Sequence, residues 1–308
     1  MQSGIEEEGT PKGWRMKNQS ESIALHEAIK RGHEEIGLQL LDIDEETAMI
    51  GNGAGESPLY LAAKSGLRML VLRILKCPRF SSEGPNGRSP LHSAVINRNL
   101  GICEMLIQSL PHLPKQTDKF GKTAIHYAAA EAAMKMPPTR KKTAEKTIHL
   151  LLSADPSSAT IPDEHGVSPP LLAAAKGNIR LLKTLLSYSP DCYYLLNSEG
   201  QNAIHLAVLH SRSKMLKFLI KRPEFEGLAN EVDDGGNTYL HFAAAKCNPG
   251  IVRLLLECQG VDLNITNKDG HTCLDALPSR KGLRLRIVKS MIESRVRANL
   301  KGRPFRGR

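Results

Sequence analysis

The chain has 308 residues, of which 41% are hydrophobic and 4% aromatic, and its formal net charge is +10. Residues 280–308 contain eleven Lys or Arg and one acid, Glu293, so this segment alone carries the whole excess. No apolar run approaches the ~18 residues that cross a bilayer. The first twenty residues have no hydrophobic core of the kind a signal peptide needs, so we expect a soluble intracellular protein.

A glycine followed two residues later by a potential helix N-cap recurs seven times along the chain. Ser, Thr and Asn side chains at such positions accept a hydrogen bond from the first N–H groups of a helix. Successive caps are 32, 34, 45, 34, 36 and 34 residues apart, a period that predicts a helical solenoid. The pairs are Gly55/Ser57, Gly87/Ser89, Gly121/Thr123, Gly166/Ser168, Gly200/Asn202, Gly236/Thr238 and Gly270/Thr272.

Each repeat predicts a turn, a short Ala-rich helix and a longer Leu-rich helix. Proline occupies the first position of the short helix at Pro58, Pro90 and Pro169, where its missing N–H costs little. Glycine nine residues after the cap position, as at Gly66 and Gly177, predicts the left-handed residue that ends the short helix. The second helix has one apolar face with i, i+3, i+4 spacing.

The stretches at the caps resemble the ankyrin repeat, whose pattern is Thr-Pro-Leu-His-x-Ala-Ala. The fifth repeat, with Ser168-Pro169-Pro170-Leu171, departs from the pattern. This resemblance implies an all-α ankyrin-repeat solenoid of about eight repeats, each a helix-turn-helix with a hairpin loop, over residues 20–293. Matching stretches begin at Ile23, Ser57, Ser89, Thr123, Asn202 and Thr238.

The second half is further similar to plant ankyrin proteins of the accelerated-cell-death type. The phrases that carry this similarity lie at 185–208, 236–246 and 261–277. The similarity implies a role in plant defence, cell-death control or stress signalling. Those proteins typically continue into a transmembrane domain with a Pro-Gly-Gly motif, and no such segment is present in this sequence.

Two terminal segments and one insertion depart from the repeat. We expect residues 1–19 to be disordered and residues 294–308 to form a basic tail outside the array. The 45-residue spacing places an insertion near 134–146. Its Pro137-Pro138 pair and basic run at 140–142 predict a solvated loop.

The histidines do not predict catalysis or metal binding. Five of them occupy the motif position three residues after a cap, where the ankyrin resemblance implies a backbone hydrogen bond between repeats. Phosphate-binding glycine loops, zinc-ligand spacing and nucleophile–base arrangements are missing from the sequence. We therefore expect no enzyme activity, no cofactor and no metal. The motif histidines are His26, His92, His126, His205 and His241.

A partner protein is expected on the concave surface formed by hairpin tips and first helices, as in other repeat arrays. The positions just before the caps and those seven or eight residues after them form an inner line that is mostly basic, while the hairpin tips are acidic. A partner of mixed charge fits this pattern, and so does an ordinary solvated surface. The candidate residues are Lys30, Arg31, Lys64, Arg88, Lys122, Lys176, His210, Lys246, Asp163, Glu164, Asp233 and Asp234, with Asp118 and Asp269 as further tip acids.

The segment 283–300 has an apolar i, i+4 stripe that includes Val288 and Ile292. One interpretation is the second helix of a capping repeat, at least over 283–293. A second, compatible interpretation is attraction to an anionic membrane surface, which would place the protein at the inner face of the plasma membrane. Nucleic acid is disfavoured because stacking aromatics are scarce. The basic residues are Arg284, Arg286, Lys289, Arg295, Arg297, Lys301 and Arg303.

The sequence thus predicts a non-catalytic scaffold for protein–protein interaction in the cytoplasm. The alternative is the soluble part, or a truncated form, of a membrane-anchored ankyrin protein. In that alternative the basic tail is the cytoplasmic flank of a transmembrane domain.

Overall fold

A computed structural model describes residues 13–132, 138–222, 228–279 and 282–300. These residues form fifteen α-helices and several single turns of 3₁₀-helix, and their one β feature is an isolated antiparallel bridge between Val232 and Thr238. The predicted all-α class is confirmed. The helices are α1 (Ala24–Lys30), α2 (Glu34–Ile43), α3 (Pro58–Ser65), α4 (Arg68–Leu75), α5 (Pro90–Ile96), α6 (Leu100–Ser109), α7 (Ala124–Ala132), α8 (Pro138–Ala154), α9 (Pro169–Lys176), α10 (Ile179–Tyr188), α11 (Ala203–Leu209), α12 (Ser213–Leu219), α13 (Tyr239–Ala245), α14 (Pro249–Leu256) and α15 (Leu283–Leu300).

Consecutive helices pair into repeats, with the first helix of each pair short and largely buried. The helices pack with their partner in the same repeat and with the corresponding helix of the next repeat, as α3 does with α4 and with α5. Alanines such as Ala62 and Ala63 are fully buried on the first helix and leave room for this close approach. The longer second helix buries one apolar face, for example Leu182 and Leu185 on α10.

The chain divides into two compact units. The first comprises residues 1–128 and 142–155, and the second comprises residues 129–141 and 156–308. The core of the first unit repeats one buried residue from each first helix: Leu25, Leu59, Leu91 and Ile125. In the second unit Leu171, Ile204 and Leu240 occupy the same place.

The second unit ends with α15, which packs against α14. Val288 and Ile292 are fully buried, as the apolar stripe predicted for a capping helix. The helix continues to Leu300 instead of ending near 293, and Glu293 forms i, i+4 ion pairs with Lys289 and Arg297 that favour the longer helix. The first helix of this eighth repeat is reduced to a turn at residues 273–276.

A left-handed residue follows the first helix nine positions after the cap in most repeats. The predicted glycines, including Gly66 and Gly177, have φ of 82° and 76°. Three repeats make the same turn without glycine, at a steric cost that the surrounding contacts must outweigh. These residues are Arg98, Ser211 and Cys247, with φ of 60°, 55° and 46°.

The insertion differs from the predicted loop. Helix α8 begins at Pro138 and runs for seventeen residues to Ala154, so residues 138–146 of the insertion are helical. Proline is well suited to the first position of a helix, and the Lys, Arg, Ala and Glu that follow favour helix. Residues 133–137 lie outside the described part of the chain.

The N-terminal segment also differs from the expectation where it is described. Gly13–Arg15 form a 3₁₀ turn, and Arg15 pairs with Asp44 and with Glu46. The Trp14 indole N–H donates to Asp44 as well, at 3.0 Å. These contacts tie residues 13–15 to the first repeat, while residues 1–12 lie outside the described range.

Candidate partner-binding surface

Buried histidines fix the loops that carry the candidate residues. The His92 Nδ1 accepts the backbone N–H of Ser89 at 3.1 Å, and its Nε2 lies 2.9 Å from the carbonyl oxygen of Lys122 in the next repeat. His241 makes the same contacts with Thr238 and with the carbonyl of His271. Because a carbonyl only accepts, Nε2 carries the proton, and each imidazole joins a cap to the following loop.

The buried histidines His26 and His205 are neutral near neutral pH. Burial lowers the pKa of His205 to about 4, despite its hydrogen bond to the carbonyl of Asn237. Burial likewise lowers the pKa of His26 to about 4. They are structural groups, and no cluster of three His, Cys, Asp or Glu suited to a metal ion occurs in the described ranges.

An Asp or Asn five residues before the cap shapes most loops. The Asp163 Oδ1 accepts the backbone N–H groups of His165 and Val167, both at 3.0 Å. The Asp233 Oδ1 accepts those of Gly235 and Asn237 at 3.0 and 2.7 Å. Asp163 and Asp233, predicted to face a partner, therefore hold their own loops. Asn52, Asp118, Asn197 and Asn267 accept equivalent bonds.

The third repeat has Gly84 at this position, for a steric reason. A Cβ there would lie 2.2 Å from the ring of Tyr60 and 2.5 Å from the carbonyl oxygen of Arg88. The backbone has φ of −139°, so the requirement is space and not conformation. This repeat gives up the loop-shaping carboxylate or amide in order to pack Tyr60.

In the first unit, the predicted cations lie beside acids of the same surface. The Lys64 Nζ donates to the Glu56 carboxylate at 2.8 Å, and Glu56 also accepts the Asn52 side-chain amide at 3.0 Å. Burial opposes ionisation of Glu56, but these two donors outweigh it and hold its pKa below the ordinary value. Lys30 is exposed, and its Nζ donates to the Ser22 hydroxyl at 3.1 Å. Among the described residues, Lys30 forms no ion pair with a carboxylate.

Arg88 also faces an acid, although that acid was expected at an exposed tip. The side chain of Asp118 is fully buried, accepts a hydrogen bond from the Tyr127 hydroxyl and lies 3.9 Å from the Arg88 Nε. The Arg88 guanidinium lies 5.2 Å from the centre of the Tyr127 ring. Burial opposes ionisation of Asp118, but the bonds from Tyr127 and from the N–H groups of Lys122 and Phe120 hold its pKa below the ordinary value.

The two remaining cations of the first unit are less constrained. Arg31 is exposed, and its Nε lies 3.8 Å from Glu27 one turn earlier. The Lys122 ammonium lies 5.9 Å from the centre of the Phe120 ring. Much of the predicted basic line in this unit is therefore balanced by Glu27, Glu56 and Asp118.

In the second unit Lys176, His210 and Lys246 are joined by a residue outside the predicted set, Arg212. Lys176 is the last residue of α9, and His210 and Lys246 directly follow α11 and α13; all three are exposed. The pKa of His210 is lowered, first by partial burial of its imidazole and then by the positive charges of Arg212, Lys176 and Lys246. In the described ranges of the chain, none of these four side chains is paired with a carboxylate.

Sequence reasoning missed Arg212, although the repeat contained a signal for it. The equivalent position before the second helix holds Asn99, Asn178 and Asn248 in other repeats, where the amide caps that helix. Arg212 replaces this cap. Its Nε instead donates to the Ala175 carbonyl at 2.9 Å.

Acidic side chains remain exposed at the loop tips of the second unit. Glu164 is exposed and lies 3.7 Å from the imidazole of His165. Asp234 is exposed too, and its backbone N–H donates to the Glu199 carbonyl in the preceding loop. Of the four predicted tip acids, Glu164 and Asp234 are therefore the two that face solvent without shaping a loop.

Helix α15 presents basic and apolar side chains to solvent. Arg284, Arg286 and Lys289 are exposed, as is Leu283 at 71%. Arg297 is exposed and paired with Glu293 at 3.4 Å, and Arg295 is partly buried. Lys301 and Arg303 lie outside the described residues. Among the helices that the structure describes, none is long and apolar enough to cross a membrane.

Comparison with known proteins gives relatives that match parts of the chain. The Nuclear factor NF-kappa-B p105 subunit of Gallus gallus is 27% identical over 213 residues, which is 67% of this chain. Protein ACCELERATED CELL DEATH 6 of Arabidopsis thaliana is 25% identical over 128 residues, or 37% of this chain. The chain spans about a fifth of each relative's length, 20% and 19% respectively.

A solved structure and family models identify the repeat. The crystal structure of the ankyrin repeat domain of Bcl-3 covers 78% of this chain and 99% of its own, with a TM-score of 0.61 and 20% identity, which supports the fold. The family model "Ankyrin repeats (3 copies)" matches residues 139–227 and 171–267, and the model "Ankyrin repeat" matches residues 86–118. Together these matches cover more than half of the sequence. The chain belongs to the ankyrin-repeat family.

Proposed function

We propose that this chain is a non-catalytic scaffold that binds a partner protein through its loops and the ends of its first helices. The observation that carries the proposal is a contrast along the first helix, whose middle is buried and whose C-terminal end is exposed. Residues such as Leu206 and Ala207 are buried between repeats, whereas the side chains at the helix end, such as His210, remain exposed. Ankyrin repeats in general form protein-interaction domains, and such arrays bind through an extended surface.

The proposed process is plant defence, cell-death control or stress signalling. Its support is the likeness of residues in this chain to Protein ACCELERATED CELL DEATH 6, which covers 37% of the chain. The partner is a cytoplasmic protein whose recognition does not require chemistry on a substrate. Sustained turnover of any substrate by the purified chain, abolished by one point mutation, would contradict the non-catalytic part of the proposal.

The test is affinity purification with charge-reversed bait. The variant carries Lys64→Glu, Lys176→Glu and Lys246→Glu, at three exposed candidate positions. The matched control carries Lys76→Glu, Lys214→Glu and Lys217→Glu, which makes the same change in net charge at exposed positions outside the candidate set. We expect specific partners to be retained by wild type and control and lost by the variant. If the variant retains every specific partner, the proposed surface is wrong.

A second proposed activity is recruitment of the protein to the anionic cytosolic face of the plasma membrane through α15. The exposed Arg284, Arg286 and Lys289 support it, together with the apolar Leu283 and Ile287 on the same helix. Each basic residue near an anionic surface contributes about 1 kcal/mol of attraction. Membrane anchorage through a further segment of a longer protein is the alternative form of this proposal.

Sedimentation with lipid vesicles tests the membrane proposal. We expect binding to vesicles that contain phosphatidylserine and little binding to neutral phosphatidylcholine vesicles. Arg284→Glu with Arg286→Glu should reduce binding strongly, whereas Lys214→Glu with Lys217→Glu should leave it nearly unchanged. Equal binding by both variants would contradict a role for α15.

A further inference from the structure

We propose that Lys176, His210, Arg212 and Lys246, hereafter the cationic cluster, bind an acidic peptide segment of the partner protein. This inference rests on the proposed scaffold function and specifies the chemistry of the partner. The cluster draws on three consecutive repeats of the second unit, from α9, α11 and α13 and the turn after α11. It therefore offers cations along several repeats, as an extended peptide requires.

Arg212 links two of these repeats. Its Nε donates to the carbonyl of Ala175 in α9, and its side-chain stem packs against Gly177, where an added Cβ would lie 3.0 Å from the Arg212 Cδ. The guanidinium is thus held beside the end of α9, which Lys176 also occupies. Helix α11 packs against both α9 and α13, so the end of α11 that carries His210 lies between the helix ends that carry Lys176 and Lys246. The pKa of His210 is lowered by partial burial and then by the charges of Arg212, Lys176 and Lys246.

Among the described residues, the fold supplies no carboxylate to this cluster. In the second repeat the residue before the cap is Glu56, which pairs with Lys64. In the repeats that carry Lys176, His210 and Lys246 the corresponding residues are uncharged: Val167, Gln201 and Asn237. Because the neighbouring cations Lys176, Arg212 and Lys246 lack a carboxylate partner among the described residues, binding of an external acid would relieve their mutual repulsion.

Helix ends account for only part of this arrangement. Cations near the C-terminus of a helix gain about 0.3–1 kcal/mol from the helix dipole, which could explain Lys176 after α9. Arg212 stands just before the N-terminus of α12, where a positive charge is unfavourable, although its guanidinium also bonds the Ala175 carbonyl in the last turn of α9. A bound carboxylate would compensate for this placement.

The surrounding charges favour a peptide over a membrane or a nucleic acid. Exposed acids, Glu164, Glu199 and Asp234, lie on the loop tips of the same unit. A broad polyanionic surface or a long phosphate backbone would meet these acids as well as the cluster. A short acidic segment can contact the cations alone.

The experiment measures binding of a fluorescein-labelled Glu-Gly repeat peptide to the full chain by fluorescence anisotropy. The variant is Lys176→Glu with Lys246→Glu, and the matched control is Lys214→Glu with Lys217→Glu, two exposed lysines on α12. We expect about a tenfold or greater loss of affinity in the variant and less than about a twofold change in the control. Circular dichroism checks that both variants remain folded.

Three results would overturn the inference. These are absence of peptide binding by wild type, equal affinity of variant and control, and binding of phosphatidylserine vesicles or a single-stranded oligonucleotide with the same dependence on Lys176 and Lys246. The scaffold proposal fails separately. If the peptide binds at the cluster but the three-lysine bait variant retains every partner, both the scaffold surface and the role of the cluster in partner binding are wrong. If the bait loses partners but no peptide binds, only the acidic-peptide inference is wrong.

Discussion

At the scale of single residues, the motif histidines show how a side chain with catalytic potential serves the fold. His92 and His241 each bond a cap N–H and a carbonyl of the following loop. The sequence motif predicted this role by resemblance, and the structure gives the atoms involved. The sequence did not predict that Asp163 and Asp233 shape their loops. A carboxylate at a turn can either face solvent or accept hydrogen bonds from the backbone, and the sequence does not distinguish the two.

The buried histidines make stability depend on pH. The pKa of His205 is about 4 in the folded chain, compared with 6.5 for an unperturbed histidine. Between these values the unfolded chain binds more protons, so the unfolding free energy falls as the pH decreases from about 6.5 to about 4. The slope is at most about 1.4 kcal/mol per pH unit for each such histidine.

Urea denaturation across this pH range measures the effect. We expect a shallower pH dependence in His205→Gln than in wild type, because one titrating group is removed. His112→Gln, at an exposed position, should leave the slope unchanged. An equal slope in wild type and His205→Gln would show that His205 does not couple folding to protons.

Replacement of the N-cap serine by alanine should change the unfolding free energy differently in the third and the fifth repeat. Ser89 bonds the His92 ring and accepts the His92 N–H, so Ser89→Ala should cost about 1 kcal/mol of unfolding free energy. The buried Ser168 hydroxyl has no hydrogen-bond partner among the described residues, and Leu171 stands where five of the other repeats have histidine. Ser168→Ala should therefore be neutral or stabilising. Chemical denaturation that gives equal losses for both variants would contradict this account.

At the scale of helices and turns, local signals predicted the repeat well and the irregular segments poorly. Gly66 and Gly177 end their helices as predicted, because glycine adopts positive φ freely. Cys247 and Ser211 adopt the same conformation although their residue types do not predict it, and the same local backbone hydrogen bonds close their turns. The Pro-Pro pair of the insertion predicts a loop, because proline commonly interrupts a helix, whereas Pro138 in fact begins α8.

The capping role of α15 gives a prediction at this scale. Val288 and Ile292 are fully buried, whereas Ile287 on the same helix is 39% exposed. Val288→Ala with Ile292→Ala should destabilise the second unit by several kcal/mol, on the order of 2–5, because it leaves cavities. Ile287→Ala should cost less than about 0.5 kcal/mol. Thermal unfolding of the three proteins distinguishes the cases, and similar losses for buried and exposed positions would mean that α15 does not cap the core.

At the scale of the whole molecule, the distribution of charge is the main functional information. The sequence correctly assigned the net excess of +10 to residues 280–308, since this requires only counting. It could not distinguish Lys64, which pairs with Glu56, from Lys176 and Lys246, which do not pair with a carboxylate among the described residues. That distinction depends on which side chains meet in the folded chain, and Lys64 meets the carboxylate of Glu56, the residue before the cap.

The central claim is that a partner protein binds the loops and first-helix ends. Hydrogen–deuterium exchange of the full chain, with and without a partner recovered by the bait experiment, tests it most directly. We predict protection in the loops and at the ends of α9, α11 and α13, around Lys176, His210 and Lys246, with little change on the second helices α10, α12 and α14. Protection confined to those second helices or to α15 would contradict the account.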